Sequence, residues 1–114
     1  MFRYFKREEF DCKETGENEM SDRFLSLLDD LRHRCAFPFV INSGFRSVKH
    51  SKEVVKDEPG MHTKGEAADI RVSGGRQRYL LVENAMECGF TGIGVGKTFI
   101  HVDLRGNQLM MWGY

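Results

Sequence analysis

The run Thr91-Gly92-Ile93-Gly94-Val95-Gly96 sets a glycine against an apolar residue at every second position. Side chains along a β-strand point alternately to its two faces, so this run reads as a strand with one apolar face and one nearly bare face. A bare face lets another backbone or a substrate come close. A few residues on, Phe99-Ile100-His101-Val102-Asp103 alternates in the same way, with a histidine and a carboxylate where the glycines stood. His101 and Asp103 therefore project from one strand face.

The rest of the chain supplies elements to cover such strands. Phe24, Leu27, Leu28 and Leu31 recur at i, i+3, i+4 and i+7 behind the capping candidates Ser21 and Asp22, which predicts an amphipathic helix over residues 21–35. Leu81, Val82, Ala85 and Cys88 share a face and Gly89 follows, so a second helix is expected over 76–88. Pro38–Asn42, Ala67–Val72 and Gln108–Trp112 are the other strand candidates. His50–Met61, charged and ending in Pro59-Gly60, reads as a partly helical excursion followed by a loop. Residues 1–20 read as an N-terminal arm and loop whose Phe2, Phe5 and Phe10 dock on the core. Helices set apart from a small, mostly antiparallel sheet and packed on one side of it make the fold class α+β.

The 114 residues suit a single domain, 1–114, with one core. Seventeen basic residues balance seventeen acidic ones, which removes the positive field that nucleic-acid or anionic-membrane binding needs. No apolar run approaches the roughly 20 residues that span a bilayer. The first residues carry no signal-peptide pattern, so synthesis in the cytoplasm is expected. Cys12, Cys35 and Cys88 are odd in number and have no CxxC spacing, and are expected to be buried, reduced thiols.

Chemistry concentrates in three places. His62-Thr63-Lys64-Gly65-Glu66-Ala67-Ala68-Asp69 puts a histidine and an aspartate seven residues apart around a glycine and two alanines. A glycine turn can bring that carboxylate back beside the histidine, and the small residues leave room for an ion. His101 completes a set of two histidines and one carboxylate; three protein ligands and an open position are what a catalytic zinc site requires. One histidine in a strand is most often structural, so it is the conjunction that has weight. Ahead of it stands Ser43-Gly44-Phe45-Arg46, whose arginine offers a fixed fork for a carbonyl or carboxylate.

In this order, Ser43-Gly44-Phe45-Arg46, then H-x-x-G-x-A-x-D over His62–Asp69, then Phe99–Asp103, the sequence resembles the zinc D-Ala-D-Ala carboxypeptidase family, relatives of lysostaphin-type and hedgehog-type zinc folds. It looks most like the short bacterial and phage members that process peptidoglycan cross-link peptides. The likeness runs from Phe5-x3-Glu9-Phe10-x-Cys12 through Arg105-Gly106 to Trp112-Gly113-Tyr114. It implies a hedgehog-like, D-Ala-D-Ala-peptidase-like fold, with Zn2+ held by His62, Asp69 and His101. It makes Arg46 the clamp that stabilises the oxyanion, while Ser43 supports the substrate or orients Arg46. The implied reaction is hydrolysis of an amide next to a D-amino acid in a peptidoglycan stem peptide by zinc-bound water, as a carboxypeptidase or an endopeptidase.

Two positions depart from the family pattern. Gly60 stands where a serine is common, and Thr98 stands where the family carries an acidic base, three residues before the last histidine. A threonine cannot take up a proton from water at neutral pH. Asp103 is then either the base or a group that holds a ligand from behind, and Glu66 is a further candidate base. The Thr98 departure also motivates an alternative, a non-catalytic zinc-containing binding or structural module such as a phage-particle component. His33 and His50 read as solvent residues. The expected partner is a stem peptide, met at the cell wall if the chain, read as a monomer, is released or carried there.

Overall fold

A computed structural model describes residues 2–54 and 60–114. The part of the expected His50–Met61 excursion at 55–59 lies outside the described residues, and His50–Val54 form successive turns rather than a helix.

Two helices and five strands follow one another as α1 (Asp22–Cys35), β1 (Ile41–Ser43), β2 (Ala67–Arg71), α2 (Gly74–Cys88), β3 (Gly92–Val95), β4 (Phe99–Asp103) and β5 (Met110–Gly113). α1 starts where the sequence suggests: the Ser21 hydroxyl accepts from the Phe24 amide at 3.2 Å. α2 begins two residues earlier than the apolar periodicity implies, because the Gln77 side chain accepts from the Ser73 amide at 2.8 Å and caps that end. Among the described residues, no helix is long and apolar enough to cross a membrane.

The sheet runs β1-β2-β4-β3-β5. Three of its four pairings are antiparallel, as expected for a mostly antiparallel sheet, but β5 lies parallel to β3, from Gly92 opposite Met110 to Val95 opposite Gly113. That register, rather than the local pattern, places the last strand at 110–113 instead of 108–112. The first strand likewise shifts to 41–43, because Ile41 and Ser43 are the residues that meet β2.

Alternation divides the sheet cleanly. Ala68, Ile70, Ile93, Ile100 and Val102 face the core and join Phe24, Leu25, Leu28 and Leu31 of α1 and Leu81 and Ala85 of α2 in one buried cluster. Fully burying a Leu, Ile or Phe side chain contributes about 1.5–3 kcal/mol, so this face holds the sheet together. The opposite face presents Asp69, His101 and Asp103 with Gly92 and Gly94.

Residues 2–20 are more than an arm. A 3-10 turn at Arg7–Phe10 sinks Phe10 completely, and Phe5, Cys12 and Met20 are also buried. The segment then carries the loops of the polar face: the Phe45 amide donates to the Phe10 carbonyl at 2.8 Å and the Ser21 amide to the Gly65 carbonyl at 2.9 Å. Cys12 and Cys35 are buried and Cys88 is half-buried, all three as free thiols.

The N-terminus is pinned to α1 by Asp29, which accepts from the Arg3 and Tyr4 amides at 3.2 and 3.0 Å and from Arg3 Nε at 2.9 Å. Burial alone would push the Asp29 carboxyl up, but these bonds outweigh it and leave its pKa lowered from 3.8. A carboxyl depressed on folding contributes stability above its unfolded pKa that is lost as pH falls through the folded value. Asp29→Asn is therefore expected to destabilise the chain at pH 7 by about 1–3 kcal/mol. The gap from wild type should shrink once the pH drops below about 4. Thermal melts across pH 2–7 (roughly the carboxylate range) check this, and parallel curves for the two proteins would refute it.

Candidate metal centre

The polar face gathers its groups from three places. β2 and β4 pair with Asp69 opposite His101, and the turn before β2 swings His62 alongside them. The His62 ring lies 5.1 Å from that of His101, centroid to centroid. One nitrogen or oxygen from each of His62, Asp69 and His101 falls within 4.8 Å of the others, the one such group of three among the described residues.

Their hydrogen bonds decide which of their atoms are free to coordinate an ion. His62 Nδ1–H donates to the Gly44 carbonyl at 2.8 Å; since a carbonyl only accepts, the proton is fixed on Nδ1 and the Nε2 lone pair is left free to coordinate an ion. That Nε2 lies 3.3 Å from Asp69 Oδ1. His101 is flanked by two carboxylates, with Nδ1 3.0 Å from Asp69 Oδ1 and Nε2 2.6 Å from Asp103 Oδ2. Burial would lower the His101 pKa, but the hydrogen bonds to Asp103 and Asp69 raise it instead. Burial would raise the Asp69 carboxyl, yet bonds from His101 and His62 hold it far below the usual carboxylate range.

Two imidazoles and one carboxylate converging in this way fit a metal ion: they are borderline donors, and one nitrogen or oxygen of each already faces the others.

Around the centre, a cleft of about 420 Å³ is lined by Arg46, Lys52, Met61, Phe99, Arg105, Trp112 and Tyr114 as well as by the three clustered residues. Arg46 is 13% exposed; its Nε donates to Ser43 Oγ at 3.1 Å, and its other nitrogens lie 3.8 Å from Glu53 and 3.6 Å from Asp69. Ser43 thus orients Arg46 from behind. A separate concavity of about 460 Å³ on the outside of α2, lined by Tyr79, Val82, Met86 and Val95, is largely apolar and holds no comparable cluster.

The candidate bases are placed elsewhere. Asp103 is completely buried, and its carboxylate accepts from Arg105 Nε and Nη2 at 3.0 and 2.7 Å and from the Arg105 amide at 3.0 Å. Burial opposes its ionisation, but the bonds from His101 and Arg105 bring its pKa down to about 2. It stands behind His101 and away from the cleft. Glu66 pairs with Arg23 at 3.1 Å, and Thr98 is an exposed residue of the β3–β4 turn. Asp69 is the sole carboxylate among the described residues that line the cleft.

A family model described as Peptidase M15 matches residues 3–103. The chain belongs to the Peptidase M15 family, the zinc D-Ala-D-Ala carboxypeptidase type. No curated protein matches it. Its α+β fold is the one expected of an M15 peptidase.

The M15 motifs did not reveal every residue at the site. Glu53, with a side chain 1% exposed, accepts from Thr63 Oγ1 at 2.9 Å and from the Gly60 amide at 3.2 Å, tying the His62 turn to Arg46. In sequence it is one more charge in a charged run. His50, expected in solvent, is instead packed against Glu14, with Nε2 3.2 Å from its carboxylate and only 11% of the side chain exposed. His33 is exposed as expected and meets the Tyr4 hydroxyl at 2.6 Å.

Proposed function

We propose that the chain is a zinc-dependent peptidase that hydrolyses an amide bond next to a D-amino acid in peptidoglycan stem peptides. The observation that carries this reading is the convergence of His62, Asp69 and His101, with His62 already held in a ligand tautomer, at the floor of a cleft with Arg46 on its wall. The donor set is that of a catalytic zinc, and zinc so bound supplies a Lewis acid and an activated water at neutral pH.

The chain's own residues do the rest. Arg46 offers donors toward the cleft while Ser43 and Glu53 hold its orientation, so the charge that develops on a scissile carbonyl meets a group already in place. Lys52 adds positive charge along the same wall, which suits a short peptide with a free carboxylate. Phe99, Trp112 and Tyr114 give the cleft an apolar side against which small side chains pack. Asp103 serves His101 as its hydrogen-bond partner rather than as the base.

Mass spectrometry of stem peptides incubated with the zinc-loaded protein tests the reading. A product cleaved at the D-amino acid is expected, and intact peptide would exclude it. Arg46→Ala should keep zinc but lower kcat/KM by about 10²–10³-fold, the loss typical of one oxyanion donor; an unchanged rate would remove Arg46 from the reaction.

A second reading, a zinc-containing module that binds stem peptide without cutting it, is favoured by one feature. Among the described residues, the cleft holds no carboxylate beyond the ligand Asp69. Saturable peptide binding without product would select this reading.

A further inference from the structure

We infer that Arg105 is a positioning residue for His101, acting through Asp103 and held in place by Trp112, so that the stretch 105–112 is part of the metal centre. This rests on the zinc peptidase reading above and adds to it a residue outside the matched span, which ends at residue 103.

The geometry is a chain of fixed contacts. Arg105 takes hold of Asp103 with its backbone amide and two guanidinium nitrogens. Thus held, Asp103 has one oxygen, Oδ2, 2.6 Å from His101 Nε2. A carboxylate fixed by a planar fork cannot rotate away. It keeps the His101 proton on Nε2, and the imidazole then turns Nδ1 toward Asp69 and His62.

The guanidinium is itself confined. Its carbon lies 4.4 Å from the centre of the Trp112 ring, and that ring packs 5.4 Å from the His101 ring. On the other side β3 gives way. A Cβ on Gly92 would lie 2.1 Å from Asp103 Oδ1 and 2.6 Å from Arg105 Nε, and one on Gly94 would lie 2.7 Å from Trp112 Nε1. The bare face of β3 is therefore filled by the arginine, the aspartate and the indole that stand behind His101. The parallel pairing of β5 with β3 is what brings Trp112 there.

Two measurements on the full chain test the assignment. The first is zinc affinity at pH 7 by chelator competition, together with the visible spectrum of the cobalt-substituted protein. The second is the split between kcat and KM on a stem peptide. Arg105→Ala is expected to weaken zinc binding by about 10–100-fold, the usual cost of losing a partner behind a ligand, to shift the cobalt bands, and to lower kcat with KM little changed.

Arg105→Lys keeps a positive charge beside buried Asp103 but loses the fork, and it decides the matter if the alanine variant fails to fold. A folded lysine variant should still lose zinc affinity, by about tenfold. Wild-type affinity and an unaltered cobalt spectrum in a folded variant would overturn the inference alone. So would a rise in KM with kcat intact, which would make Arg105 a substrate contact. A wild-type chain that takes up no zinc would overturn the peptidase reading and this inference with it.

Discussion

Replacing His101 with alanine should abolish stoichiometric zinc and reduce amide hydrolysis by on the order of 10³-fold or more, since a metal contributes several kcal/mol to the transition state and each ~1.4 kcal/mol is tenfold. The size of the effect follows from position. His101 is the middle of the cluster, placed between Asp69 and Asp103 and packed against both His62 and Trp112. Its loss leaves two ligands, too few for a catalytic zinc site. It also leaves Asp103 buried with Arg105 alone, so the fold should survive the change and circular dichroism should show it. Zinc content by atomic absorption and peptide turnover are the measurements. A folded His101→Ala protein that keeps one equivalent of zinc would mean that the ion sits elsewhere.

The second large effect is expected at Gly65, and it falls on stability. Gly65 has a φ of +74°, and a Cβ there would lie 2.2 Å from the Glu19 carbonyl oxygen. Both conditions oppose any side chain: the left-handed backbone is costly for alanine, and the obstacle is main chain, which cannot step aside as a flexible side chain would. Together they predict a cost of about 2–5 kcal/mol for Gly65→Ala, or a fall in melting temperature of roughly 10–20 °C for a chain of this size. The same change should loosen zinc, because Gly65 lies between His62 and Asp69 and its carbonyl is tied to Ser21. Thermal and urea denaturation of the metal-free chain test the first part, and an unchanged melting temperature would show that the turn has room after all.

What the sequence disclosed and what it withheld divide along physical lines. The helices were legible because Phe24, Leu28 and Leu31, or Leu81 and Ala85, repeat with the helical period and are buried for that reason. The two-faced strands were legible because alternation is local, and it placed His101 and Asp103 on one face before any pairing was known. The direction of β5 was not, since parallel and antiparallel partners leave the same mark on a short strand. Trp112 could therefore not be set beside His101 from the sequence. Glu53 and His50 were missed for another reason. Each sits among charged neighbours, and only tertiary packing against Arg46 and Thr63, or against Glu14, removes them from water. Residues 2–20 look like an arm because their apolar residues follow no period; Phe2, Phe5 and Phe10 dock on the core as expected, and Met20, which no pattern marks, is buried with them.

The alternation of β4 also sets what kinds of change the lineage of this chain could have accepted. Ile100 and Val102 face the core while His101 and Asp103 lie on the opposite, polar face of the sheet, with one peptide between each pair. A substitution alters one side of that ledger, but inserting or deleting a single residue within Phe99–Asp103 exchanges the two sides. It would drive an imidazole and a carboxylate into the core and turn two aliphatic side chains toward the metal. Length variation is thus barred from this strand, whereas the connection from Leu104 to Leu109 can lengthen or shorten as long as Arg105 keeps its hold on Asp103. The geometry thus fixes the count of residues across β4 and ties the connection beyond it to the hold of Arg105 on Asp103.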